Sequence, residues 1–138
     1  MKEMKRLLFV ALMMTCSVSW AEWELIGESG DNDKIHLLYV DKSTISINGA
    51  ISRMWELKNF PKVQTTSSGA RYMSSKALYA YNCIEKTSAI ISIFLYPKAT
   101  GKGNIVESAS LQDRELKWQP IAPAAVEEFF WKIACEKE

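Results

Sequence analysis

The chain of 138 residues contains one histidine, His36, and that scarcity excludes more chemistry than any other feature. Multi-histidine metal sites are ruled out, and a catalytic triad or dyad would have to be built on that single imidazole. No Ser or Cys nucleophile is patterned beside it. Charge of one sign is also missing: 17 Lys plus Arg face 16 Asp plus Glu, a net of +1. A broad nucleic-acid footprint needs a strongly basic face, so none is expected. There is no C-x-x-C pair, no repeat and no low-complexity run. The longest apolar segment, Leu7 to Ala21, is shorter than the roughly 18 residues a membrane-spanning helix requires. What is present, 48% hydrophobic and 24% charged residues, describes one ordinary globular domain.

The amino end changes these totals. Lys2, Lys5 and Arg6 precede the apolar run Leu7–Met14, and Ser19-Trp20-Ala21 places small residues three and one before Glu22. A basic start, a short apolar stretch and a small-x-small exit make a secretory signal peptide over 1–21. The remainder, 22–138, is read as a single domain. Lipid anchoring at Cys16 is disfavoured, because Met13 and Thr15 stand where lipoprotein processing wants Leu and a small residue. A buried N-terminal helix is the structural alternative. Cleavage removes three basic residues and one acid, leaving 14 positive and 15 negative side chains and a net charge of −1. It also removes Cys16 and leaves Cys83 and Cys135. Two cysteines in an oxidising compartment point to one structural disulfide, with two buried free thiols as the alternative. A loop of roughly 50 residues closed in this way is worth about 4 kcal/mol in the chain-entropy model.

Most of the domain reads as antiparallel strands. Ile35–Asp41 is rich in strand formers, and Thr44–Ile47 meets Ala50–Arg53 across Asn48-Gly49, the signature of a type I′ hairpin. The second arm runs to Leu57, with Ile51, Arg53, Trp55 and Leu57 on one face and Ser52, Met54 and Glu56 on the other. The segment Asn59–Ser75 collects Pro, Gly, Ser and Thr without a sustained period, and reads as a long loop. Alternation returns over Lys76–Glu85, where Ala77, Tyr79, Tyr81 and Cys83 share a face. Ala89–Tyr96 is a central strand, Pro97–Asn104 a turn, and Ile105–Ala109 a short strand. At the carboxyl end Pro123 suits a first helical turn, and nothing breaks Ala124–Lys137. Val126, Phe129, Phe130 and Ile133 form its apolar stripe. Cys135 lies off that stripe. Either the helix is buried over a wide arc including Trp131 and Ala134, or its last turn unwinds to reach Cys83.

Several pieces then fall in a familiar order: Leu38-Tyr39-Val40-Asp41-Lys42-Ser43-Thr44-Ile45, Met54-Trp55-Glu56-Leu57, Ser74-Ser75-Lys76 leading to Asn82-Cys83, and Trp118-Gln119-Pro120-Ile121-Ala122-Pro123 leading to Cys135. Over about Trp23 to Cys135 the chain resembles the surface-adhesin protein E family of small exported Gram-negative proteins. Asn82 departs from the acid that members often carry before the first Cys. The resemblance implies an antiparallel sheet and a C-terminal helix tied to it by a disulfide, and binding of host matrix proteins by analogy with the founding member.

The remaining motifs have plain explanations. Thr100-Gly101-Lys102-Gly103 lacks P-loop spacing and precedes a strand, so it reads as a turn. Glu127 and Glu128 point about 100° apart on a helix and make no acid–base pair. Asp31 and Asp33 lack the Gly and distal Glu of a calcium loop. Trp55, Trp118, Trp131, Tyr79 and Tyr81 are expected to build core rather than a binding floor. The surface of interest is the Asn59–Ser75 loop with its cations Lys58, Lys62, Arg71 and Lys76, placed to dock an acidic protein segment. The expectation is an α+β protein: an antiparallel meander with a C-terminal helix on one face. It is exported, uses no cofactor or metal, is not an enzyme, and contacts host extracellular matrix or other proteins through surface loops. The alternative is a periplasmic structural or stress-related protein with an envelope partner. A homodimer is compatible with either.

Overall fold

The computed structural model describes residues 21–31 and 34–136. The leader read over 1–21, with Cys16, therefore lies outside the described residues apart from Ala21. Seven strands, β1 (Glu24–Ser29), β2 (His36–Asn48), β3 (Ile51–Thr65), β4 (Arg71–Asn82), β5 (Thr87–Tyr96), β6 (Glu107–Ser110) and β7 (Gln119–Pro120), precede one helix, α1 (Val126–Cys135). They form a curled antiparallel meander in the order β1-β2-β3-β4-β5-β6. β6 pairs with Ser92–Leu95 of β5, and β7 pairs with Thr87 and Ser88 of the same strand.

Register decides which face meets the helix, since directly opposed residues share a face. Ser52 pairs with Tyr81, Met54 with Tyr79 and Glu56 with Ala77. This set, mixed in polarity, is the one that α1 covers. Ser52 and Met54 are fully buried and Glu56 is 2% exposed. With Leu38, Val40, Ile45, Tyr81, Ile121, Phe130 and Ala134, Met54 forms the main core cluster. On the other face Ile51, Arg53 and Trp55 stay half-buried, while Leu57 is fully buried.

The helix sits differently from its expected stripe. Phe130 and Ala134 are buried, with Val126, Trp131, Ile133 and Cys135 packed around them, whereas Phe129 is 64% exposed. The contact stripe is therefore Val126, Phe130 and Ala134 at i, i+4 and i+8, and the wide-arc alternative is the one adopted. Small residues explain the close approach at its end. Ser52 Oγ donates to the Ala134 carbonyl at 2.6 Å across the sheet–helix seam. That brings Cys135, still helical, to Cys83 just past β4, and the two form a disulfide with Cα atoms 5.6 Å apart. Trp131 Nε1 donates to the Asn82 carbonyl at 2.9 Å beside it. The start also departs from expectation: Pro123 lies three residues before α1, and Ala124 has φ +61° before Ala125, which holds the N-cap position without a side-chain capping bond.

Three local readings need correction. The β2–β3 hairpin exists, but Asn48 pairs with Ile51, so the turn residues are Gly49 and Ala50. Only Gly49, at φ +61°, takes positive φ there. A type I′ turn would need it at both positions, whereas glycine first suits type II′. The segment Asn59–Ser75 is largely strand, not loop. After Asn59 pairs with Ser74 the register shifts, and pairing resumes at Gln64 with Tyr72 and Thr65 with Arg71. Pro61 falls inside that irregularity, where no ladder N–H is demanded of it. The true turn is 66–70, closed by Thr66 N–H donating to the Ala70 carbonyl at 2.8 Å. Finally, β1 pairs with β2 through a bulge at Leu25/Gly27, a strand the sequence reading did not find.

The opposite face is partly covered by the β5–β6 connection. Its turn at Ala99–Gly101 is held by Asn59 and Ser74: Thr100 N–H donates to Asn59 Oδ1 at 2.7 Å and Gly101 N–H to Ser74 Oγ at 2.9 Å. The Thr100-Gly101-Lys102-Gly103 motif is thus a turn, as read from the sequence.

Candidate functional site

The four cations singled out in the sequence do not form one patch. Lys58 lies on the helix face, two residues along β3 from Glu56, and Lys76 pairs with Leu57 and so lies on the other side of the sheet. Lys62 and Arg71 are exposed on the distal half of the β3–β4 hairpin. The hairpin brings Lys62 and Arg71 outward together, with Lys58 and Lys76 at its root on opposite faces. An aromatic cluster braces that root. His36 packs on Phe60 with ring centroids 5.1 Å apart, and Phe60 meets Tyr72 edge-on at 5.6 Å. His36 Nδ1 donates to the Lys34 carbonyl at 3.0 Å. Its role here is packing within the hairpin base.

On the helix face a small cavity of about 170 Å³ is lined by His36, Glu56, Lys58, Tyr79, Tyr81 and Glu127 among others. Tyr81 Oη donates to Glu56 Oε1. Burial pushes the Glu56 carboxyl up to about 8, against the lowering effects of the Tyr81 bond and Lys58; Glu127 adds to the rise. Burial likewise pushes up both Tyr79 and Tyr81, with the Glu56 charge adding to each. The sequence reading passed over Glu56, although it lies opposite Trp55 in the strand alternation and so was bound to share the face of Met54. Glu128 behaves differently: hydrogen bonding from Lys86 holds its carboxyl below the usual range. It ties α1 to the β4–β5 turn through a 3.0 Å pair with Lys86 and accepts the Ala124 N–H at 3.1 Å. Among the described residues no three His, Cys, Asp or Glu side chains gather into a metal-holding group.

The aromatic residues divide. Tyr81 is core, Tyr79 packs against it with ring centroids 6.1 Å apart, and Trp131 backs the disulfide. Trp118 is 37% exposed instead. Trp55, also expected in the core, faces Phe94 at 6.0 Å on the side away from the helix. There it lines an open cavity of about 350 Å³ with Trp23, Lys76, Phe94 and Tyr96. Phe94 and Tyr96 alternate along β5, and Phe94 pairs with Lys76, so strand periodicity held the signal for this grouping. No helix among the described residues is long and apolar enough to cross a membrane.

Comparison with solved structures returns the same architecture in Haemophilus influenzae protein E. One such structure has a TM-score of 0.56 at 15% identity, covering 80% of this chain and 83% of that one. A second crystal form has a TM-score of 0.57 at 15% identity, covering 80% and 86%. Protein E from non-typeable Haemophilus influenzae has a TM-score of 0.52 at 16% identity, covering 71% and 68%. At such identity these establish the fold. No curated protein matches the sequence. The family model for surface-adhesin protein E matches residues 23–136, nearly the whole described domain. The chain belongs to the surface-adhesin protein E family.

Proposed function

We propose that this chain is an exported, non-catalytic binding module that docks proteins of the host extracellular matrix, with the β3–β4 hairpin as its contact element. Its export rests on the signal-peptide pattern over 1–21, which leaves 22–138 as the working domain. The observation that carries the docking reading is the hairpin itself. Two paired strands extend past the region under α1, are braced at the root by His36, Phe60 and Tyr72, and present Lys62 and Arg71 to solvent. A braced hairpin loses little conformational freedom on binding, and exposed cations at its far end steer acidic segments toward it. Lys58 and Lys76, one on each face of the root, add to that local positive field. Because the domain's overall charge is near zero, attraction is confined to this element rather than spread over the molecule.

Changing Lys58, Lys62, Arg71 and Lys76 together to Ser weakens binding to an immobilised matrix protein and flattens its salt dependence. The pair Lys62→Ser and Arg71→Ser alone reproduces most of that loss. Unchanged binding in the fourfold variant rejects the surface. External protease on intact cells removes the protein if it is displayed. Protection until the outer membrane is opened would instead support the envelope-partner alternative.

A further inference from the structure

The cavity on the face away from α1 is walled by four aromatic rings, from Trp23, Trp55, Phe94 and Tyr96, and a single cation stands among them. Lys76 Nζ is 5.8 Å from the Trp23 ring centroid and 5.2 Å from that of Tyr96. Among the described residues Lys76 makes no ion pair with a carboxylate, whereas Lys42, Arg53, Lys86 and Lys132 each do. Asp41 also lines the cavity, but its Oδ1 already accepts Ser43 N–H at 3.0 Å and Ser43 Oγ–H at 2.5 Å. Thr44 Oγ1 is engaged on both sides, donating to the Asp41 carbonyl at 2.6 Å and accepting Trp55 N–H at 3.1 Å. The Lys76 ammonium is therefore the cation that this aromatic site offers a ligand.

Its position is fixed by the fold. Gly101 lies so close that a β-carbon there would sit 2.1 Å from Lys76 Cε, so the lysine stem is held between the β5–β6 turn and the rings. Aromatic cages usually attract cations through the ring faces. Here that position is already filled by the protein's own ammonium, which inverts the preference of the site. An incoming cation is repelled, while a flat ring can stack on Trp55 and Phe94 with an anionic group reaching Lys76. A volume near 350 Å³ suits one or two fused rings.

We infer that this cavity is a binding site for small aromatic carboxylates, with Lys76 as the anion contact and Trp55 and Phe94 as the stacking floor. The two readings share Lys76 but are tested apart, protein docking by the Lys62→Ser and Arg71→Ser pair and the cavity by small-molecule titration.

Three probes of one shape and different charge test it: indole-3-acetate, indole-3-acetamide and tryptamine, titrated by calorimetry and by NMR of the tryptophan indole N–H signals. Indole-3-acetate binds saturably at or below roughly 1 mM. The neutral amide binds about tenfold more weakly, as loss of one charge-assisted hydrogen bond implies. Tryptamine does not saturate. The signals of Trp23 and Trp55 move, and that of Trp131, on the far face, does not. Lys76→Met, which keeps the stem and drops the charge, brings acetate and acetamide to equal affinity. Trp55→Leu weakens both. Absence of saturable binding of indole-3-acetate to the unmodified protein, binding of tryptamine as tight as that of the acid, or an unaltered anion preference in Lys76→Met each overturns the inference. The first two read the native protein, so they hold even if a variant folds poorly.

Discussion

Replacing Glu56 with Gln tests the energetics of the helix–sheet seam most directly. The carboxyl is buried on β3 under α1 and titrates near 8 in the folded protein, against an ordinary value of 4.5. The groups facing it are Lys58 on its own strand, Tyr79 and Tyr81 on β4, His36 on β2 and Glu127 on the helix. The sign follows from proton counting. Between 4.5 and about 8 the folded protein holds a proton on Glu56 that the unfolded chain has released. Stability from this group is therefore complete below about 4.5, falls as pH rises, and is lost once pH passes the folded value. At about 1.4 kcal/mol per pH unit the full span is on the order of 3–5 kcal/mol. That is a large part of the 5–15 kcal/mol typical of a whole domain. Gln has the shape of the protonated acid and still offers an oxygen to Tyr81 Oη–H, but it cannot ionise. Guanidinium unfolding of the oxidised protein, followed by tryptophan fluorescence at pH 5.5, 7.0 and 8.5, reads the difference. Glu56→Gln matches the unmodified protein to within about 1 kcal/mol at pH 5.5 and exceeds it by about 3 kcal/mol or more at pH 8.5. Groups elsewhere contribute equally to both curves and cancel. Parallel curves across that range, or a variant weaker at every pH, would refute the reasoning.

Two further outcomes follow from the same seam. Cys83→Ser with Cys135→Ser opens a loop with a sequence separation of 52 and lowers stability by about 4 kcal/mol, and intact mass after alkylation without reduction shows no free thiol in the parent. Of the adjacent phenylalanines, Phe130→Ala costs about 3–5 kcal/mol, while Phe129→Ala, 64% exposed in the parent, changes stability by under about 1 kcal/mol. Equal effects would mean that α1 presents its other side to the sheet.

How much of this could be read from the chain depends on the element. The Lys76–Glu85 alternation correctly placed Ala77, Tyr79 and Tyr81 on one face, because a strand's period of two is fixed by backbone geometry. The β3 split of Ile51, Arg53, Trp55 and Leu57 from Ser52, Met54 and Glu56 was right for the same reason. Which face would lie under the helix was not legible, since both carry apolar residues: Met54 is fully buried on the covered face and Leu57 on the other. The helix needs a shallow surface at Ser52 to bring Ala134 and Cys135 close, and that requirement belongs to a partner 82 residues away. The Asn59–Ser75 segment misled for a local reason: Pro61 and the Thr-Ser-Ser-Gly run carry turn signals, yet only 66–70 turns. The candidate site fared likewise. Neighbourhood in sequence grouped four cations that the sheet then divided between its two sides.

Sequence alone therefore determined the near-neutral charge, the strand-rich body, the terminal helix and its cysteine partners. These depend on composition and on periods set by the backbone. Tertiary structure decided the burial of Glu56, the turning of Phe129 outward and Phe130 inward, and the seating of Lys76 among Trp23 and Tyr96. Each depends on which surfaces meet across long sequence distances. Strand alternation names two faces, and only packing chooses between them.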